Sequence, residues 1–285
     1  MNRRIGFAEA LSTYAILAAI SVALIAPFLL MVSISLTNDT STVQMKFHLI
    51  PQEFEFNNYV RVFTTPNIDI GRHILNSLTI VIGSIIGQVI VSSFVAYGFA
   101  RFNAPGKNVL FLILLGTMMI PGAVTIIPQF ALYRSLGWLG TFTPLILPNF
   151  FGGAFNIFLI RQFIVRLPTE LDEAARTDGV GPLGIFWYII FPLIRPIAMA
   201  VAIFTFQFNW SWFLEPLLYL QDADKMPLAV AVRTLSATTS AGATPMWNLV
   251  MVASMLLTLP MLLVFFFGQK YIFEANISGG GPAIK

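Results

Sequence analysis

The chain has 285 residues, 57% of them hydrophobic and only 10% charged, with a mean hydropathy of +0.80. A water-soluble domain carries about a quarter charged residues, so this composition excludes a soluble two-domain protein, a disordered chain and a secreted disulfide scaffold. With no Cys there is no disulfide, thiolate nucleophile or Cys-ligated metal, and a net charge of +3 without a Lys/Arg-rich run offers nucleic acid no binding surface.

A helix needs about 20 mainly apolar residues to cross the hydrocarbon core. Six stretches meet this without a single Asp, Glu, Lys or Arg: Thr13–Leu36, Leu75–Ala100, Val109–Leu132, Thr143–Ile160, Ile197–Leu214 and Trp247–Gly268. They lack the period-two alternation of an outer-membrane barrel. The expected fold class is therefore all-α, a membrane protein of six transmembrane helices. Pro27, Pro121, Pro128, Pro148 and Pro260 predict kinks within these spans. The organisation is an N-terminal segment 1–12, a six-helix membrane domain 13–268 and a tail 269–285.

The first span reads as a retained helix, because Ile34–Leu36 lacks a small-residue cleavage pattern. With the N-terminus inside, ten of the sixteen Lys and Arg residues fall on the inner side, which places both termini in the cytoplasm. Two connecting segments are long. Loop 37–74 is polar and external, with room for a small ordered lobe; it contains His48 and His73, which read as surface histidines without metal-site spacing. Loop 161–195 is the sizeable inner one, with four acids against four basic residues, and is where a soluble partner would dock.

That inner loop predicts a helix–turn–helix. Thr169 is placed to cap a helix, with Asp172 three residues on, and Glu170, Asp172 and Glu173 complement the dipole of its first turn. Leu171, Ala174 and Ala175 form a small apolar strip. Gly179 ends the helix, Gly181-Pro182 breaks the chain, and a second short helix, Leu183–Phe191, stops at Pro192.

The pattern Glu173-Ala174-Ala175-x-x-Asp178-Gly179, followed by Phe186, Ile189, Pro192 and Pro196, resembles the EAA loop of ABC-importer permeases. The likeness extends from about Asn58 to Phe273 and includes Asn58-Tyr59, Asn76-Ser77-Leu78, Ala96-Tyr97-x-x-Ala100-Arg101-Phe102, Pro105-Gly106-Lys107 and Leu145-Ile146-Leu147-Pro148. The set is most similar to the smaller permease subunit of maltose-type and glycerol-phosphate-type importers. Ser211, Trp212 and Glu215 in WSWFLEPL depart from the segment many relatives carry there.

This resemblance implies a coupling helix in which Glu173, Ala174, Ala175, Asp178 and Gly179 engage a cytoplasmic ATPase subunit. It also implies a bacterial inner-membrane location, a second and larger permease, two ATPase subunits, an external solute-binding protein and a carbohydrate substrate. The tail from Gln269 onward resembles a cytoplasmic C-terminus that in some relatives reaches between the ATPases.

The chain has no GxxxxGK[ST] loop, since Arg101 stands where the first glycine before Gly106-Lys107 should be. It is not expected to be an enzyme or to bind a cofactor itself; ATP and Mg belong on the partner ATPases. Gln88, Gln129, Asn149, Asn156, Gln207, Asn209 and Trp210 are the candidates for lining a path, because amides exchange hydrogen bonds with hydroxyls and indole faces stack on sugar rings. Interhelical hydrogen bonding is the competing role for each, and Gly83-x-x-x-Gly87 reads as a close-packing site. Two other functional classes are compatible with six spans: an ion-coupled or facilitative carrier acting without an ATPase, and a membrane scaffold. The absence of ionisable residues within the spans weighs against ion coupling.

Overall fold

The computed structural model describes residues 7–39, 50–51, 53–65, 68–237 and 246–277, and every regular element among them is helical. In chain order these are α1 (Phe7–Ser35), α2 (Asn58–Arg61), α3 (Ile70–Arg101), α4 (Lys107–Thr117), α5 (Gly122–Ser135), α6 (Thr143–Ile164), α7 (Glu170–Thr177), α8 (Pro182–Leu193), α9 (Arg195–Trp210), α10 (Leu214–Leu220), α11 (Leu228–Ala237) and α12 (Trp247–Ile277). Four helices are long and apolar enough to cross a membrane: α1, α3, α6 and α12. The pairs α4–α5 and α8–α9 bring the number to six if each is one span.

The α4–α5 pair corrects the expectation of a merely kinked third span, whereas the separation of α8 from α9 follows the stop expected at Pro192. The α4–α5 pair bends by 97° around Met118–Pro121. Pro121 has no N–H to continue the ladder and sits in extended backbone at ψ 131°, so the chain stops and restarts. The fifth span likewise starts at Arg195, two residues before the expected Ile197, and turns 77° from α8. Within α8 the backbone widens to a π-turn over Phe186–Ile190, directly before Pro192 withdraws another N–H.

The chain divides into two compact units, Met1–Ile70 with Ala231–Thr258, and Gly71–Val230 with Leu259–Lys285. In the first, α1 is apolar all round, as expected of a helix that faces lipid. Its C-terminal carbonyls would be orphans. Asn58, fully buried, donates through Nδ2 to the carbonyls of Ser35 (3.0 Å) and Thr37 (2.9 Å). Asn248 donates to Asp39 Oδ1 at 2.8 Å, and Arg61 pairs with the same carboxylate at 2.9 Å. The guanidinium hydrogen bond holds the Asp39 carboxyl below the usual carboxylate range, against the opposing effect of partial burial. Among the described residues of loop 37–74, Asn58 and Arg61 are the centre of this hydrogen-bonded group, while His48 lies outside the described residues.

In the second unit, α3 presents a buried polar seam of Ser77, Ser84, Gln88, Ser92 and Ser93. Opposite it, α6 passes through a 3-10 stretch, Leu147–Phe151, which contains Pro148 and ends at Gly152 with φ +75°. The seam supplies the hydrogen bonds that this irregular backbone lacks. Ser84 Oγ donates to the Leu145 carbonyl, Asn149 Nδ2 donates to Ser84 Oγ and to the same carbonyl, and Gly153 N–H donates to Ser92 Oγ. Gly83 and Gly87 admit Ile146 and Phe150 at close range, which is the packing role expected of the pair.

His73 is not the surface histidine expected. It is 7% exposed, and its Nδ1 lies 2.7 Å from the Met226 carbonyl, where Asn76 also donates. These bonds fix the start of α3 to the segment before α11.

Candidate functional site

Segment 161–195 holds two short helices, α7 and α8, joined through Gly179–Gly181 as an elbow. Thr169 makes no side-chain cap: it is already helical, and its carbonyl accepts from Asp172 and Glu173 N–H. The capping function expected of that hydroxyl is therefore absent, and the three first-turn acids face the helix dipole alone. Helix α7 ends in a Schellman motif. Val180 N–H donates to the Ala175 carbonyl at 2.9 Å, and Gly179 N–H to the Arg176 carbonyl at 3.0 Å. The motif requires a left-handed residue between them, and Gly179 supplies it at φ +80°. Val180 then packs on the cluster that contains Ala175.

The two faces of α7 differ sharply. Asp172 and Ala175, three residues apart, point inward at 4% and 5% exposure. Glu173, Ala174, Asp178 and Gly179 are exposed. Of the expected strip, Ala175 faces the core, whereas Leu171 and Ala174 face outward.

The inward face carries a feature that motif reading missed. Asp172 Oδ2 lies 2.9 Å from Nε of Arg101, the last residue of α3, and both side chains are 5% exposed. Arg101 Nη2 also donates to the carbonyls of Leu167 (2.9 Å) and Pro168 (3.3 Å), which lead into α7. One turn earlier, Tyr97 OH donates to the Pro182 carbonyl at the start of α8 (3.4 Å), and its ring lies 5.5 Å from that of Phe186. Removing one partner of a buried ion pair costs about 3–5 kcal/mol, because the other charge is left uncompensated. The sequence signal was available: Asp172 shares a helical face with Ala175, an unusual place for an acid without a buried cation.

The expected path-lining residues fall into two sets. Gln88, Asn209 and Trp210 are enclosed by this chain, at 5%, 4% and 2% exposure. Gln88 donates to Ser92 Oγ, Asn209 donates to the Thr205 carbonyl, and Trp210 stacks on Phe206. Gln129, Asn149, Asn156 and Gln207 keep partial exposure. Of these, Gln129 accepts from Tyr219 OH at 3.3 Å, and Asn149 is occupied by the seam. The structure does not gather the seven into one site. Among the described residues no group of three His, Asp or Glu could hold a metal ion.

Comparison with known proteins gives these features a context. Residues 88–275 match the family described as binding-protein-dependent transport system inner membrane component. The chain is 32% identical to the sn-glycerol-3-phosphate transport system permease UgpE of Yersinia enterocolitica, covering 82% of this chain and 84% of that protein. It is 30% identical to the polygalacturonan/rhamnogalacturonan transport system permease YtcP of Bacillus subtilis, covering 93% and 95%. In fold it resembles a chain of a bacterial ABC transporter that imports the acidic polysaccharide alginate, with a TM-score of 0.83, 21% identity and coverage of 95% and 99%. The chain belongs to the family of binding-protein-dependent transport system inner membrane components, as a permease subunit of an ABC importer.

Proposed function

We propose that the exposed face of α7 is the coupling surface on which an ATPase subunit grips this permease. The observation that carries this reading is the two-faced α7. Asp172 and Ala175 are locked inward, whereas Glu173, Ala174 and Asp178 are left free beside a Gly179 turn. An exposed small residue next to a carboxylate suits a helix that lies close in a groove with a basic or hydroxyl-bearing wall. In this reading the elbow and both termini are cytoplasmic. ATP and Mg are bound by two ATPase subunits, a larger second permease completes the translocation path, and an external binding protein delivers the solute. Nucleotide-driven closure of the ATPases draws the two elbows together and reorients the cavity as a rigid-body switch.

The cargo proposed is a carbohydrate, in keeping with the polysaccharide named for one sequence relative and for the structural neighbour. Gln129, Asn156 and Gln207, which keep partial exposure, are the side chains of this chain proposed to meet it; Gln88, Asn209 and Trp210 support the bundle from within. Docking is tested with a cysteine placed at Ala174, which is unique in a chain that has none of its own. In the purified complex it is expected to crosslink to the ATPase, and a crosslink to no ATPase defeats the reading. A panel of mono- and oligosaccharides scored by stimulated ATP hydrolysis, with the binding protein present, tests the cargo; stimulation only by non-carbohydrates overturns that part.

A further inference from the structure

We propose that Tyr97 and Arg101 are positioning residues that join α3 and the elbow into one rigid lever, so that displacement of α7 enters the membrane domain through α3. The inference rests on α7 being the docking surface. It concerns where the motion goes next, which the exposed face does not specify.

The elbow is joined covalently only to α6 and α9. Its apolar side chains share a buried cluster with Ile160 of α6 and Ile197 of α9, but its polar side-chain anchorage comes from elsewhere. The ion pair with Asp172 and the bond to Pro182 come from α3, 71 and 85 residues away in the chain. Tyr97 and Arg101 stand four residues apart, on one face of the last turns of α3. Arg101 grips the entry to α7 and α7 itself, whereas Tyr97 grips the start of α8. Both arms of the elbow are therefore held by the same helix end.

The chemistry of the grip supports registry over bulk stability. Three more ion pairs among the described residues, Arg61–Asp39, Arg72–Asp224 and Lys225–Asp222, leave their side chains 35–66% exposed, while Arg101–Asp172 is 5% exposed on both sides. Burying two charges has a desolvation cost that a well-packed apolar pair avoids, and fixing a register is the best-attested use of such pairs. Arg101 donates to two carbonyls through Nη2, while its Nε faces the Asp172 carboxylate at ion-pair distance without hydrogen-bond geometry, so three points on one rigid plane hold the position of α7. A lysine ammonium has the charge but not the planar fork. A flexible joint here would let α7 follow the ATPase while α3 stayed behind.

The test uses the complete complex in nanodiscs, with spin labels on cysteines at Glu170 in α7 and Leu75 near the far end of α3, and any cysteines of the partners replaced. Helix rise puts these labels roughly 40 Å apart. In the unsubstituted complex the distance is expected to be the same without nucleotide and after trapping with MgATP and vanadate. Asp172→Asn and Arg101→Lys are each expected to make it differ between the two states by a few Å; Tyr97→Phe, the mildest change, should give a smaller difference. Loss of stability alone would broaden the distance distribution in both states and would not make it depend on nucleotide. If the distance stays independent of nucleotide in all three variants while Ala174 still crosslinks to the ATPase, the proposal is overturned. Absence of that crosslink in the unsubstituted complex overturns the docking reading instead, and the lever with it.

Discussion

Replacing Gly179 separates backbone conformation from contact. At φ +80° it occupies the left-handed region, and a Cβ there meets nothing within 4 Å, so steric exclusion contributes nothing in this chain. What remains is the conformational cost of a left-handed L-residue, about 1–2 kcal/mol. Asn populates that region several-fold more readily than Ala, so Gly179→Asn should cost roughly half as much as Gly179→Ala. Gly179→Asp shares that tolerance but adds a negative charge at a helix C-terminus, worth about 0.3–1 kcal/mol against it. The assay is hydrogen exchange of amides 170–180 in the assembled complex, alongside crosslinking from Ala174. Protection is expected to fall about tenfold in the Ala variant, following from 1.4 kcal/mol per decade, and about threefold in the Asn variant. The Asp variant should insert normally, since no packed neighbour is disturbed, but should lose crosslinking and uncouple uptake from hydrolysis. Equal protection in Gly and Ala variants, or a worse result for Asn than for Ala, would refute the conformational reasoning and point to side-chain volume at the partner surface.

A Cβ at Gly87 would stand 2.6–2.9 Å from the ring atoms of Phe150. Gly87→Ala should therefore destabilise the purified protein by about 1–3 kcal/mol, and Phe150→Ala in the same chain should recover part of that in a double-mutant cycle. Additive effects in thermal unfolding would show that the two residues do not interact. Asp39, held below the usual carboxylate range chiefly by Arg61, has a depressed folded value. Its contribution is thus complete above the unfolded value of about 4 and is lost as pH falls through the folded one. Both partners are more than a third exposed, so the effect is under about 1 kcal/mol. Asp39→Asn should shrink the loss of thermal stability between about pH 6 and about pH 3; an undiminished loss would assign it to other carboxylates. Ser77→Ala removes the hydroxyl that accepts from buried Leu228 N–H at 2.8 Å and should cost about 1–3 kcal/mol in the same assay. No change would mean that another acceptor replaces it.

How much was legible beforehand depends on whether a signal is local. The uncharged apolar blocks announced the spans, because a bilayer forbids charge over about 20 consecutive residues. The Gly179 turn was equally readable, since the need for positive φ belongs to a single residue. The break before α9 was readable from Pro192, but the α4–α5 bend was not: proline predicts a perturbation, and whether it becomes a kink or a 97° break depends on which neighbours satisfy the freed carbonyls. Counting amides identified Gln88 and Asn149 as polar groups in a membrane but could not tell lining from glue. Their partners within this chain, Ser92 for Gln88 and Ser84 for Asn149, are visible only in the placement of α3 against α6.

The sequence alone therefore determined the class: a helical membrane chain with a punctuated loop between its fourth and fifth spans. Hydrophobicity and backbone constraint act residue by residue, so they can be read in order. The tertiary structure decided the partners. An arginine closing one span and an acid in a distant loop look like two ordinary charges on paper. Exclusion of water from both is what makes them a single joint, and that happens only when segments remote in the chain come together.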